Sequence, residues 1–97
     1  MKQHILDRDC IKQGLKAAPD IYRYIDVSYS GKDYIKEVMN KRKIIARCLR
    51  SYLPIRDVAD IMGRSISSIS YLVNGRYEED YDFEKAVNSH IDNCLTH

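Results

Sequence analysis

Short polar side chains and arginines are concentrated in one stretch of the chain, between Arg56 and Arg76. The hydroxyl and amide groups that share one side of a helix there are Ser65, Ser67, Ser68, Ser70, Tyr71 and Asn74. Such groups both donate and accept hydrogen bonds, and short side chains let a helix enter a DNA major groove about 12 Å wide. Arg56, Arg64 and Arg76 are suited to contacting phosphates around such a face. The pattern therefore indicates binding of a polyanion rather than catalysis.

The elements that position these groups are two short helices between residues 55 and 75. The apolar residues spaced along one face of the first are Ile55, Val58, Ala59 and Met62. Gly63 provides the left-handed backbone of a tight turn, and Ser65 is a natural N-cap for the second helix. We expect Ile69, Leu72 and Val73 to face inward, with Ile66 either beside them or offered to a thymine methyl group. This order is typical of a helix-turn-helix.

A long helix of about residues 31–53 should precede this pair, starting at a Ser30 cap and ending before Pro54. The apolar stripe consists of Tyr34, Ile35, Val38, Ile45, Cys48, Leu49 and Tyr52. The opposite side carries Lys36, Lys43, Arg47 and Arg50, of which Lys43 and Arg47 are further candidates for DNA contact. The basic residues of this helix, which also include Lys41 and Arg42, are expected to extend the cationic rim.

A last helix of about residues 79–95 is indicated by Phe83, Val87, Ile91 and Leu95, which recur every four residues. Its stripe either folds back on the long helix, which is the simpler expectation for so small a domain, or meets its copy in a homodimer. Before Pro19, Ile5, Leu6 and Ile11 suggest a short helix. Residues 21–29 fit a helix or an alternating strand, and we favour the helix.

The charge is unevenly distributed, although the net value is only +2. Residues 32–76 hold ten Lys and Arg against four Asp and Glu, a balance of +6. Residues 77–97 hold one against six, a balance of −5. Because salt screens attraction to phosphate beyond about 10 Å, such a local basic region matters more than the net charge.

The 97 residues are expected to form one domain, residues 1–97, in the cytoplasm. No apolar run approaches the roughly 18 residues of a membrane span, and the first residues lack the apolar stretch of a signal peptide. Cys10, Cys48 and Cys94 are far apart and odd in number, which favours separate buried thiols over a disulfide framework. We therefore predict no membrane partner.

Catalytic and metal-binding patterns are not evident. His90, Cys94 and His97 can share a helix face, but the last turn of a helix is a poor metal site. No Ser or Cys lies in a recognisable nucleophile motif, and Asp57 and Asp60 are better interpreted as a solvated helix face. We predict neither an enzyme nor a cofactor.

Residues 32–75, and especially the segment from Lys43 to Ile69, resemble the carboxy-terminal DNA-binding domain of the bacterial replication initiator DnaA and the wider Trp-repressor-like helical family. The resemblance implies that Arg64 matches the arginine after the turn glycine, and that Ser67 and Ser68 match paired hydroxyl residues that meet DNA. Ser65-Ile66 replaces the family's usual Asp-His, which puts the origin-sequence preference in doubt. No Gly-rich phosphate loop is present, so no ATPase function carries over.

The sequence thus predicts a small all-α bundle, containing a helix-turn-helix, that binds double-stranded DNA. Its role would be transcription regulation or an accessory part in replication, phage or plasmid maintenance. The alternative is a protein-interaction module on the same scaffold, which the acidic tail and eight tyrosines favour. RNA binding is a weaker third hypothesis.

Overall fold

The computed structural model describes residues 8–26 and 35–95, and in these ranges it is helical, with no strand. The helices are α1 (Arg8–Lys16), α2 (Pro19–Ile25), α3 (Ile35–Arg50), α4 (Ile55–Met62), α5 (Ile66–Asn74) and α6 (Tyr81–Leu95). The predicted all-α class is confirmed. So is the helix rather than a strand from Ile21 to Ile25, whereas residues 27–34 lie outside the described ranges.

Helix α3 is the centre of the bundle. It packs against α2, α4, α5 and α6, while α1 packs against α2, α4 and α6. Ile44, Ile45 and Leu49 of α3 are almost completely buried, and each of the six described helices contributes at least two side chains to the same core. A chain of this size needs these apolar faces for stability, because small domains bury a limited share of their surface.

The end of α3 differs from the prediction, because the helix stops at Arg50 and not near residue 53. The backbone N–H groups of Tyr52 and Leu53 both donate to the carbonyl of Leu49, so the chain leaves the helix through a tightened turn. This turn buries Leu53 and leaves Tyr52 38% exposed, so the inward placement of Tyr52 was wrong. The predicted start of the helix, at Ser30, lies outside the described residues.

The connection between α4 and α5 follows the predicted order. Gly63 has φ 66°, in the left-handed region, and its N–H donates to the carbonyls of Ala59 and Asp60. Ser65 caps α5, since its Oγ accepts from the backbone N–H of Ser68 at 3.1 Å. Ile69 is buried, but Ile66 is 51% exposed because the packed face of α5 begins only at Ile69. Of the two alternatives for Ile66, the inward one is therefore not observed, and contact with a thymine methyl group stays a prediction.

Helix α6 folds back on the rest of the chain. It starts at Tyr81, two residues later than predicted, after Asp80 accepts a hydrogen bond from the N–H of Phe83 at 3.1 Å. Val87 and Ile91 are fully buried in the common core. The fold-back alternative is confirmed for these two residues, whose side chains are not available to a second chain.

A disulfide joins Cys10 of α1 to Cys94 of α6, with Cα atoms 6.1 Å apart. The prediction of separate thiols was wrong for these two, because packing of α1 against α6 brings together residues 84 positions apart. Cys48 is a free, buried thiol. In residues 8–26 and 35–95 no three potential metal ligands cluster, and His97 lies outside these ranges. No helix of the described part has the length and apolar character to cross a membrane.

Candidate functional site

Helix α5 presents the predicted polar residues to solvent. Ser67, Ser68, Tyr71 and Asn74 are exposed and form what we call the α5 outer face, whereas Ile69 and Leu72 are buried against α3 and α4. Tyr71 is the most prominent of them, with 64% of its surface exposed. The period of the helix alone accounts for this split between the two sides.

Hydrogen bonds within α5 order part of this surface. The Oγ of Ser65 lies 3.1 Å from the Oγ of Ser68, and the amide of Asn74 donates to the half-buried Ser70 at 3.3 Å. Hydroxyl groups rotate and keep spare donor and acceptor capacity after one such bond. The α5 outer face therefore consists of partly oriented polar groups that still have hydrogen bonds to offer.

Two of the predicted rim cations, Lys43 and Arg47, contact the carboxyl end of α5 instead of projecting freely. The Nζ of Lys43 donates to the carbonyl of Arg76 at 2.7 Å. The guanidinium of Arg47 donates to the carbonyl of Val73 and lies 4.4 Å from the ring centre of Tyr77. Cations at this end also oppose the negative pole of the helix dipole. Their observed role is to hold α5 on α3.

Arg64 is similarly engaged with the backbone. Its Nη1 donates to the carbonyls of Ile25 at 2.9 Å and Met62 at 2.8 Å, which ties the end of α2 to the turn before α5. Arg42 of α3 makes a parallel tie, from Nε to the carbonyl of Tyr24 at 2.8 Å. Burial, and next the charge of Arg42, lower the pKa of Arg64, and burial lowers the pKa of Arg42.

Arg56 and Arg76 remain as predicted rim residues with exposed side chains. Neither guanidinium has a hydrogen bond or ion pair with another residue of the described ranges. Arg56 lies in the first turn of α4, and Arg76 directly follows Gly75, the C-cap of α5. These two are the cations of the predicted set with the most freedom to meet a ligand.

An open groove of about 390 Å³ lies between α3 and α5, next to the α5 outer face. Its lining comprises Met39, Arg42, Arg64, Ser67, Ser68, Tyr71 and Leu72, and we call it the α3–α5 groove. Sequence reasoning treated Arg42 only as one of several basic residues of the long helix. The position of Arg42 in the sequence, three residues from both Met39 and Ile45, does not predict that it lines a groove. The groove is formed by residues that are far apart in the chain.

The acidic segment after α5 is held against α3. Asn40 makes two bonds with the backbone of Glu78, donating to its carbonyl at 2.9 Å and accepting from its N–H at 2.6 Å. Lys41 forms an ion pair with Asp80, and this contact and the hydrogen bond from Phe83 lower the pKa of Asp80. The negative charges of this segment thus lie beside the first half of α3, and they line an open cavity together with Tyr71 at the edge of the α5 outer face.

Asp57, Asp60 and Cys48, the other groups with potential reactivity, are either paired or buried. Asp57 and Asp60 both form ion pairs with Arg8, at 3.3 and 3.5 Å, so the predicted solvated face also joins α4 to α1. Burial, and next the charge of Glu84, raise the pKa of the Cys48 thiol to about 12. A thiol with so high a pKa is a poor nucleophile at neutral pH.

No family model, curated protein or solved structure matches the chain. The resemblance of residues 32–75 to the initiator and Trp-repressor-like domains therefore stays a prediction that depends on the motif alone.

Proposed function

We propose that the protein binds double-stranded DNA through the α5 outer face. The observation that carries the proposal is the exposure of Ser67, Ser68, Tyr71 and Asn74 on a helix whose opposite side is anchored in the core. Short hydroxyl and amide side chains allow close approach to base edges, with which they exchange hydrogen bonds. A helix that is rigidly held by α3 and α4 loses little freedom when it binds.

Phosphate contacts come from the cations around that face. Arg56 and Arg76 have unengaged guanidinium groups, and Arg42 and Arg64 line the adjacent groove. Lys43 and Arg47 keep their charge while they bond to carbonyls, so they add attraction at a distance rather than direct contacts. About two to four phosphates are therefore neutralised, fewer than the number of cations suggests.

The biological role that fits this proposal is transcription regulation, or an accessory function in replication, phage or plasmid maintenance. The motif resemblance supports such a role. The replacement of Asp-His by Ser65-Ile66 argues for a target sequence other than the initiator's, because two polar side chains at the start of the helix are changed.

The test is a titration of a fluorescent 20–30-base-pair random duplex at several salt concentrations. The association constant should fall with salt at a logarithmic slope of about −2 to −4, a loss of roughly 15- to 250-fold between about 50 and 200 mM. Arg56→Ala should weaken binding and reduce the slope by about one unit. Lys85→Ala, which removes an exposed cation from the acidic α6, is the matched control and should change neither. No binding at the lowest salt would refute the proposal.

A protein-interaction module is the second candidate, because α5 exposes two large side chains, one at its first residue and one further along the helix. Ile66 is 51% and Tyr71 64% exposed. Aromatic residues of this kind are enriched in the centres of protein interfaces. A protein that fails to bind duplex, but loses a protein partner when Tyr71 is changed to Ala, would favour this candidate.

A further inference from the structure

The α3–α5 groove brings two positive charges together without a negative one. Arg42 and Arg64 both line it, and neither forms an ion pair with a carboxylate of the described residues. Their polar bonds go to the backbone carbonyls of Tyr24, Ile25 and Met62, with one weak bond from Nη1 of Arg42 to the sulfur of Met39 at 3.9 Å. A guanidinium has more N–H donors than these bonds occupy, so both side chains retain donors for a ligand.

Hydroxyl groups add to this set of donors. Ser67 and Ser68 line the same groove from the first turn of α5, where the positive pole of the helix also favours an anion. Two guanidinium charges attract a phosphate, which carries one negative charge as a diester and up to about two as a monoester, and several donors match its oxygen atoms. We infer that the α3–α5 groove binds the phosphoryl group of a larger molecule through Arg42, Arg64 and the Ser67 and Ser68 hydroxyls.

The apolar part of the groove indicates why the phosphoryl group belongs to a larger molecule. Met39, Leu72 and the ring of Tyr71 form the rest of the lining, and the volume of about 390 Å³ far exceeds that of one phosphate. These surfaces can cover the sugar or base that carries the phosphate, and an exposed aromatic ring is a suitable stacking partner for a base.

Two sources supply this chemistry, the DNA backbone and a free phosphorylated small molecule. The assignment to the backbone rests on the proposed function, because the groove lies beside the α5 outer face. Binding of inorganic phosphate to the groove does not rest on the proposed function. Phosphate binding and duplex binding are therefore measured separately.

The variant that tests the phosphate site is Ser67→Asp. Ser67 is exposed and has no hydrogen bond to another described residue, and an acidic side chain in the first turn of a helix is compatible with folding. The new carboxylate occupies the groove and repels an incoming anion. Ser89→Asp, at an exposed serine of α6, makes the same change in charge away from the groove and is the matched control.

The probe is inorganic phosphate, added with chloride at equal ionic strength as reference and followed by the amide NMR signals of Ser67, Ser68 and Arg64. We expect saturable shifts in the millimolar range, with affinity lowered at least about tenfold by Ser67→Asp and less than about twofold by Ser89→Asp. Absence of saturation in the wild type, or equal effects of both variants, would overturn the inference even if duplex binds.

Two further arms identify the source of the phosphoryl group. If saturating duplex abolishes the phosphate-induced shifts of the wild type, the DNA backbone is the ligand. If phosphate and a nucleoside monophosphate bind with unchanged affinity in the presence of duplex, the ligand is a small molecule. If the wild type binds phosphate but does not bind duplex, the proposed function is refuted, whereas the phosphate site is supported.

Discussion

Removal of the disulfide between Cys10 and Cys94 should destabilise the fold strongly. The bond closes a loop over 84 positions, so it restricts almost the whole unfolded chain. The loop-entropy relation gives about 15 cal/mol/K for this length, or about 4.5 kcal/mol at 25 °C. Because real denatured chains are already compact, we expect a loss of about 3–4.5 kcal/mol in the free energy of unfolding.

This loss is large relative to the stability of a domain of this size. The free energy of unfolding of a domain of 97 residues is roughly 5–15 kcal/mol, so the reduced protein keeps only part of its stability. With about 2.1 cal/mol/K per residue at the midpoint, the melting temperature should fall by about 15–20 °C.

Urea unfolding followed by circular dichroism measures the effect directly. The Cys10→Ser/Cys94→Ser double variant is compared with the oxidised wild type, and a slope of about 1.5 kcal/mol/M predicts a midpoint lower by about 2–3 M. Reductant should shift the wild type to the same midpoint and leave the double variant unchanged, which controls for Cys48. A difference of less than about 0.5 M between the oxidised wild type and the double variant would refute the reasoning.

Three other changes test the contacts around α3. Arg47→Ala should lower the free energy of unfolding by about 1.5–3 kcal/mol, against less than about 0.5 for the unpaired Arg56→Ala, both measured in urea. The pKa of Asp80 is lowered from 3.8 by its bond to Lys41, so its stabilisation is present above that pH and lost as the pH falls through the lowered value. Asp80→Asn should therefore flatten the acid limb of a stability–pH curve. Cys48 should resist a disulfide reagent at pH 8 until urea unfolds the chain; rapid labelling of the folded protein would contradict its burial.

Local signals account for the parts of the fold that were predictable. Gly63 and Ser65 affect only the few residues around them, Gly63 through its left-handed backbone and Ser65 through its side-chain cap. Both have the conformations that were predicted from the sequence. The spacing of Val87 and Ile91 was equally readable, because burial of one helix face needs only the helical period. Boundaries were less accurate at the end of α3, where tertiary burial of Leu53 extends the turn beyond the helix.

Contacts between distant residues account for what sequence reasoning missed. The pairing of Cys10 with Cys94 depends on the packing of α1 on α6, which no local pattern encodes. The disulfide also removes one argument for a cytoplasmic location, since that expectation rested partly on separate reduced thiols. In the site, the basic character of α3 was visible, but not which carbonyls Lys43 and Arg47 would contact.

The basic region of the chain therefore has two separate physical roles. Lys43 and Arg47 stabilise the carboxyl end of α5, and Arg64 fixes the turn before its amino end, so that α5 is held at both ends. Lys43 and Arg47 are used in this way to orient the helix, so they do not contact a ligand directly. Under the proposed function, the neutral α5 outer face would provide specificity, and the few free cations around it would provide affinity. A surface built like this should depend less on salt than its charge of +6 over residues 32–76 suggests.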